Sequence, residues 1–556
     1  MNYQILPIVF LLLLACGQRK TDEIEDTGTQ KVPFTWENAN VYFLLIDRFY
    51  NGDPSNDQTF DRKPDGAIMR SFTGGDIAGI TQKIEEGYFD KLGVNAIWFT
   101  PPVEQIHGYT DEGTGKTYGY HGYWTRDWTS IDPNFGTFRD LKVLVEIAHE
   151  HEIRILFDAV LNHTGPVTAV DTQWPDTWVR TVPTCTYQDF KSTVTCTLVK
   201  NLPDIRTERN EEVELPPFLI EKWEKEGKLN QELTELEEFF TRTGYPRAPR
   251  FYIIKWLTDY VRELGIDGFR VDTAKHTEPS VWGELYKEAL AAFKTWKEEN
   301  SDHELDDNEF FMAGEVYNYS IYHDFNFPMG DTTINFFENG FKSLINFAFK
   351  SDANKHPEEV YRQYSDILNG TMDEYSVINY VSSHDDSEPF DKRREKVFEA
   401  GTKLLLAPGA AQIYYGDETA RILEVEGSNG DANLRSMMNW DDLENNVEIK
   451  GIFVSDVFQH WAKLGIFRKE HPAIGAGIHK KMQDAPYTFS RVYDKNGYQD
   501  KVIVVMGISD QPINVAGLFE NRTVLKDYYS GQIVKVKNSK VKIKTGNNLI
   551  LLGKPI

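Results

Sequence analysis

Four apolar runs in this chain each end in a carboxylate, a histidine or an asparagine, and that repeat constrains the fold more than any other feature. Residues 154–157 run into Asp158-Ala159-Val160-Leu161-Asn162-His163. Residues 266–271 run into Asp272-Thr273-Ala274-Lys275-His276, and residues 310–314 into Glu315. The last, residues 375–381, runs into Ser382-Ser383-His384-Asp385. Polar groups gathered at one end of successive strands are the pattern of a parallel barrel whose chemistry sits at the C-terminal face. In the second run Arg270 and Asp272 are two residues apart, so on a strand they point to the same side. A guanidinium beside a carboxylate keeps it ionised, which makes Asp272 a candidate nucleophile. Read alone, the pair is equally a structural ion pair at a strand edge.

The rest of the chain fits around these runs. Residues 41–46 and 94–100 read as the first two strands, 331–340 as the sixth and 410–418 as the eighth. Residues 140–151 and 251–264 read as helices. Residues 164–248 make an insertion far longer than the usual strand-to-helix loop. Within it, 211–238 is highly charged and reads as a solvent-facing helical excursion. From about residue 478 the pattern changes to short alternating runs, such as 501–506 and 541–544, which predict an antiparallel β domain.

A chain of 556 residues predicts two or three domains. Its 13% aromatic content supplies a core and leaves Trp and Tyr for stacking. A formal net charge of −26 argues against a nucleic-acid partner and suits a neutral substrate or a cation. The apolar run 5–15 is too short to span a bilayer and reads as a targeting segment. Residues 17–35 are polar, with an acidic run at 22–26, and read as a tether. Cys185 and Cys196 share one polar stretch, and in an exported protein two such cysteines usually pair, two free thiols being the alternative.

In this order, the four motifs closely resemble those of the alpha-amylase superfamily of retaining glycoside hydrolases, over roughly residues 36–475. The resemblance implies a (β/α)8 TIM barrel, 36–163 and 249–475, with an inserted domain B after strand three, 164–248. A C-terminal antiparallel β-sandwich follows at 476–556. It implies Asp272 as nucleophile, Glu315 as acid/base and Asp385 as stabiliser of an oxocarbenium-like state. Burial after the apolar run 310–313 fits a raised pKa for Glu315. The loop Tyr120-His121-Gly122-Tyr123-Trp124 resembles the family's stacking loop, with Tyr123 on the sugar face and His121 on its hydroxyls. His163, Arg270, Lys275, His276 and His384 complete the implied substrate contacts. Lys275-His276 resembles the pair in enzymes that cut α-1,4 links. Gln412-Ile413-Tyr414-Tyr415-Gly416-Asp417-Glu418 matches the strand-eight motif. Asp386-Ser387-Glu388 departs from the usual Asn, variable residue, Arg, so chloride activation is not expected.

Calcium is the implied cofactor, at two places. The loop Asn51, Asp53, Asn56, Asp57, with the Gly74 carbonyl and Asp76, looks like the N-terminal site of cyclodextrin glycosyltransferases, though on its own it is equally a solvated turn. Leu202-Pro203-Asp204-Ile205 resembles the family's fifth motif, in which Asp204 joins Asn162 and the His276 carbonyl around a second ion. Leu13-Leu14-Ala15-Cys16-Gly17 resembles a bacterial lipobox, implying cleavage of residues 1–15 and lipid attachment at Cys16 ahead of a tether, 16–35. Residues 2–4 lack the usual Lys or Arg. With the acidic run, which looks like a surface-export signal of Gram-negative lipoproteins, this implies a lipid anchor in the cell envelope. The expected location is the outer membrane, periplasmic or surface-exposed, with other surface glycan-uptake proteins as partners. The implied activity is retaining endo-hydrolysis of α-1,4-glucosidic bonds in starch, glycogen or maltooligosaccharides. A cyclodextrin glycosyltransferase or cyclomaltodextrinase would use the same residues. A non-catalytic glycan-binding protein would typically lose a carboxylate, and all three are present.

Overall fold

Eight short strands close into a parallel barrel in a computed structural model that describes residues 31–556 except Glu112, Ser509, Asp510 and Thr545. The targeting segment, Cys16 and the tether as far as residue 30 lie outside the described residues. The strands, in chain order, are Asn40–Leu44, Ala96–Phe99, Arg154–Ala159, Gly268–Val271, Phe311–Gly314, Ser343–Asn346, Ser376–Tyr380 and Ala410–Tyr414. The first pairs with both the second and the eighth, which closes the ring. Every residue of all eight is buried. A parallel sheet covered by helices on one side and filled by side chains on the other has no wet face, which is why these strands read as unbroken apolar runs.

The sixth strand lies at Ser343–Asn346, not at 331–340. The earlier segment holds the two-residue strand Thr333–Ile334, paired with Phe327–Pro328, and a 3-10 turn at Phe336–Asn339. Its apolar residues misled because Phe336 and Phe337 belong to that 3-10 turn and are buried against Phe327, Phe325 and Tyr375 rather than on a barrel strand. The true strand begins and ends in polar residues. Asn346 donates to the Tyr364 hydroxyl at 3.0 Å and to Asn379 Oδ1 at 2.9 Å, which offsets burying its amide.

The helix expected at 140–151 is Phe138–Glu150, starting earlier because Thr137 caps it in a capping box with Asp140. Pro249 opens the helix Pro249–Leu264, where its missing N–H costs nothing. Between the third strand and that helix the chain forms a small pairing, Val179–Arg180 with Asp204–Ile205, and two helices, Pro217–Glu226 and Leu229–Thr243. These helices expose charge but bury Leu219, Trp223, Leu236, Phe239 and Phe240. Trp178 stacks on Trp256 of the barrel helix, centroids 6.2 Å apart, and Trp223 meets the same ring edge-on at 6.4 Å. Each buried ring withdraws about 150–250 Å² from water, roughly 4–6 kcal/mol as an upper figure. The insertion is thereby held against the barrel.

After the barrel come six antiparallel strands in one sheet, faced by the short pair Ile513–Asn514 and Lys540–Val541. In Tyr498–Met506, Val502 and Val504 join the main core while Ile503 and Val505 face the smaller one. With one face on the barrel side and the other on its own small layer, this strand is apolar over residues 502–506. No helix among the described residues is long and apolar enough to cross a membrane.

Candidate active site

The barrel ladder continues one residue beyond the strand ends and fixes two carboxylates there. The Asp272 amide donates to the Ala159 carbonyl at 3.1 Å, and the Glu315 amide to the Val271 carbonyl at 2.9 Å. Gly314 precedes Glu315 because a Cβ there would come within 2.9 Å of Leu344 and Phe341. Arg270, in register with Asp158, is buried at their centre. Its Nη1 donates to Asp158 Oδ1 at 2.9 Å and to Asp272 Oδ1 at 2.8 Å, and its Nη2 lies 3.0 Å from Glu315 Oε2. One guanidinium thus joins three carboxylates from three strands. Asp158 also accepts from the Trp98 indole at 2.9 Å and the Tyr123 hydroxyl at 2.8 Å, leaving it fully committed.

The carboxylates have different electrostatic surroundings. Burial pushes Glu315 up to about 8; the Arg270 charge opposes this, and the nearby charges of Asp272 and Asp385 add to it. Asp385 is the reverse. Burial raises it, but His384 and Arg435 outweigh that and hold it below the usual carboxylate range. Asp385 is half exposed, lies 2.9 Å from His384 Nε2 and accepts from Arg435. Asp158 is raised to about 6 by burial, with Arg270 pulling it back.

The neutral groups are poised as well. Burial, and then the Arg435 charge, keep His121 well below the usual imidazole range. Its Nδ1 accepts from the Tyr123 amide at 3.1 Å, which leaves Nε2 as the ring donor. His384 stacks on Tyr123 with centroids 5.3 Å apart. His163 faces the Tyr123 carbonyl at 3.1 Å and Asn162 Oδ1 at 3.3 Å, so both its nitrogens engage the protein. His276, lowered to about 4 by burial, sits 3.1 Å from the Thr193 carbonyl of the insertion. Lys275 reaches over Tyr317 and Phe327 at 5.8 and 5.5 Å. A cavity of about 760 Å³ opens beside these groups, lined by Arg270, Glu315, His384 and Asp385 and walled by Leu198 and Leu202 of the insertion.

Sequence reasoning missed Arg435, Trp98 and Tyr317. Arg435 lies in the loop after strand eight, 50 residues from its partner, and no local pattern marks it. Trp98 had a signal, since an indole N–H inside an apolar strand must find an acceptor.

Among the described residues no three His, Cys, Asp or Glu side chains converge as metal ligands. Calcium also takes amide and backbone oxygens, so the expected sets need a separate test. In the loop 51–57, the side-chain oxygens of Asn51 and Asn56 are buried and unpartnered. Gly74, at φ +95°, brings its backbone so close that a Cβ would meet Asn51 and Asp57 within 2.6 Å. Those unmet oxygens, with Asp57 and the Gly74 carbonyl, fit a hard cation. Asp76 caps the helix Ile77–Glu85 through the Gly79 amide at 2.6 Å, and Asp53 turns outward to Ser55. In the second set, Asn162 donates to Asp204 Oδ1 at 3.1 Å and to the His276 carbonyl at 2.8 Å. Arg180 lies 2.6 Å from the other Asp204 oxygen, so a positive charge already faces that carboxylate. Cys185 and Cys196 are joined, around the helical turn Lys191–Val194 whose Thr193 touches His276.

A family model described as alpha amylase, catalytic domain, matches residues 43–477. The periplasmic alpha-amylase of Escherichia coli is 37% identical over 548 residues, covering 87% of this chain and 74% of its own. The cyclomaltodextrin glucanotransferase of Thermoanaerobacterium thermosulfurigenes is 27% identical, covering 85% of this chain and 60% of its own. Among solved structures, the Geobacillus thermoleovorans alpha-amylase complexed with acarbose is 21% identical, with a TM-score of 0.62, covering 94% of this chain and 99% of that one. An Anoxybacillus alpha-amylase gives the same TM-score of 0.62 at 22% identity, covering 94% of this chain and 100% of its own. At these identities the solved structures speak to the fold alone.

Proposed function

We propose, from the premise that this chain belongs to the alpha-amylase family, that it hydrolyses internal α-1,4-glucosidic bonds with retention. The observation that carries this reading is the pair Asp272 and Glu315 on the two terminal nitrogens of one guanidinium. That arrangement favours the short separation of a retaining pair, about 5–5.5 Å, over the roughly 6.5–9.5 Å that admits a water. In the first step an Asp272 oxygen attacks the anomeric carbon while Glu315 gives its proton to the departing glycosidic oxygen. The carbon–oxygen bond breaks and a glycosyl ester forms. In the second step Glu315, now ionised, takes a proton from water. The water oxygen attacks the same carbon and Asp272 leaves. Asp385 supports the positive charge that develops between the two. His121, Tyr123 and His384 bind and orient the ring, and Lys275 and His276 contact the leaving-group side. His163 acts through Tyr123, and Trp98 and Asp158 hold Arg270.

Calcium would be held by Asn51, Asn56, Asp57 and the Gly74 carbonyl in the first strand's loop, with Asp76 fixing that loop to the next helix through the Gly52 and Asp53 amides. The Asn162, Asp204 and His276 set is a second candidate. The relative named as periplasmic, together with Leu13 to Gly17, supports an exported, lipid-anchored enzyme. Proton NMR of maltooligosaccharide cleavage, read before mutarotation, tests the mechanism. The α-anomer is expected first; the β-anomer would overturn the assignment of Asp272.

A further inference from the structure

In a chain whose formal charge is −26, residues 533–544 carry five lysines and no acidic residue. The segment doubles back on itself. The Lys537 and Lys540 backbones exchange two hydrogen bonds of 3.0 Å around Asn538 and Ser539, both at positive φ, as a two-residue hairpin turn requires. Val534, Val536, Val541 and Ile543 enter the small core of the C-terminal domain. Side chains alternate along a strand, so Lys535, Lys537, Lys540, Lys542 and Lys544 turn outward, and all five are exposed. Among the described residues none of them forms an ion pair. Of the two acidic residues between 511 and 556, Asp527 is buried and accepts from Ser530 and the Leu551 amide, and Glu520 pairs with none of these lysines. The neighbouring strand Val524–Asp527 extends the face. Val524 stands opposite Lys535 and Lys526 opposite Ile533, and Val524 and Ile533 are 43% and 60% exposed.

A lysine guards a free sheet edge, and Lys535 meets that need on the edge strand Ile533–Lys535. Four further lysines lie beyond that strand. Five like charges on one face repel one another and find no counter-charge in the chain, so the face is complementary to an anionic surface from outside. Exposed apolar side chains set among lysines suit a bilayer, where amines meet headgroup phosphates and apolar groups enter the boundary below. The path of the chain points the same way. Phe34 lies against Arg154, which opens the third barrel strand, and Trp36 stacks on Phe311, which opens the fifth, with centroids 4.0 Å apart. Asn38 bonds to Arg468 and Gly475, which lead into the C-terminal domain. The chain thus enters at the end of the barrel opposite Asp272, Glu315 and Asp385, beside the domain that carries the lysines. The 18 residues from Cys16 to Phe34 span at most about 65 Å, so a lipid at Cys16 would hold that domain near a bilayer.

We propose that this lysine face docks on anionic lipid headgroups and orients the enzyme on the membrane. The proposal takes its location from the exported, lipid-anchored reading, but the docking itself needs no acyl chain. Its test therefore uses the full chain with Cys16→Ala, which cannot be acylated, and co-sedimentation with unilamellar vesicles. Partition onto vesicles of phosphatidylglycerol with phosphatidylcholine should exceed that onto phosphatidylcholine alone by on the order of 10²-fold at low salt. The excess should vanish at about 0.5 M salt, where the charges are screened. The apolar run 5–15 is common to both arms and cancels. Lys535→Gln, Lys537→Gln, Lys540→Gln, Lys542→Gln and Lys544→Gln together should abolish the excess; the same five changed to Arg should keep it, and both variants should melt with the parent. Equal partition onto the two kinds of vesicle, or an excess that survives in the glutamine variant, overturns the proposal. So does a parent that is dimeric where the glutamine variant is monomeric, with no difference on vesicles, which assigns the face to the acidic surface of a second copy. Failure of the wild type to take up a palmitate label at Cys16 overturns the anchor alone and leaves the vesicle result to decide the docking.

Discussion

Arg270 must match three carboxylates from three directions, and its planar fork is suited to that. Lysine is a single point charge and cannot replace it. Arg270→Lys should therefore lower kcat by about 10²–10³-fold with KM little changed, read by steady-state kinetics. Asp272→Asn should cost more, roughly 10⁴-fold or beyond. Glu315 sets the alkaline limb. It must carry a proton to donate, so activity should fall as pH rises through about 8. With an aryl leaving group that needs no proton, the limb for glycosylation should disappear. The same group carries a cost in stability. Its folded pKa is raised, so its contribution is present below the unfolded value near 4.5 and is lost as pH rises toward about 8. Glu315→Gln removes that loss, so its Tm should exceed the wild type's by more at pH 8 than at pH 5. A Tm difference that shrinks with rising pH would refute the burial argument. The carboxylates and Arg270 were legible because each ends an apolar run. Arg435 was not, because a loop residue finds Asp385 only through the closed fold.

The loop 51–57 and the bridge between Cys185 and Cys196 are the elements whose contribution can be measured separately. Gly74→Ala places a Cβ against Asn51 and Asp57 at a positive φ, so it should destabilise by about 1–3 kcal/mol. It should also abolish any rise in Tm on adding calcium, which the wild type should show after chelation. Identical melting of wild type in chelator and in calcium would remove the metal from this loop. Breaking the disulfide, with a sequence separation of 11, should cost about 2–3 kcal/mol. Because Thr193 inside that loop touches His276, Cys185→Ser with Cys196→Ser should raise KM more than it lowers kcat. At this scale the sequence was read well where period and capping agreed, as in Pro249–Leu264. It was read badly where apolar residues served a loop, as Phe336 and Phe337 do, while strand six carried Ser343 and Asn346. An apolar count cannot separate those two uses; the hydrogen-bond partners that let Asn346 be buried are contributed by Tyr364 and Asn379.

The molecule as a whole carries a formal charge of −26, spread over a chain whose first residues read as an address. Metabolic labelling with a palmitate analogue should mark the wild type and not Cys16→Ala; equal labelling of both would end the lipid-anchor reading. The closure of the barrel has a consequence in time rather than in space. The first strand's second neighbour is the eighth, so Asn40 waits for Ala411 to be made before its outer edge is covered. Until then the growing chain holds an open parallel edge of Asn40–Leu44, five buried-type residues with unpaired backbone groups. A truncation before residue 410 should therefore leave an open, adhesive edge instead of a smaller enzyme, seen as aggregation by light scattering.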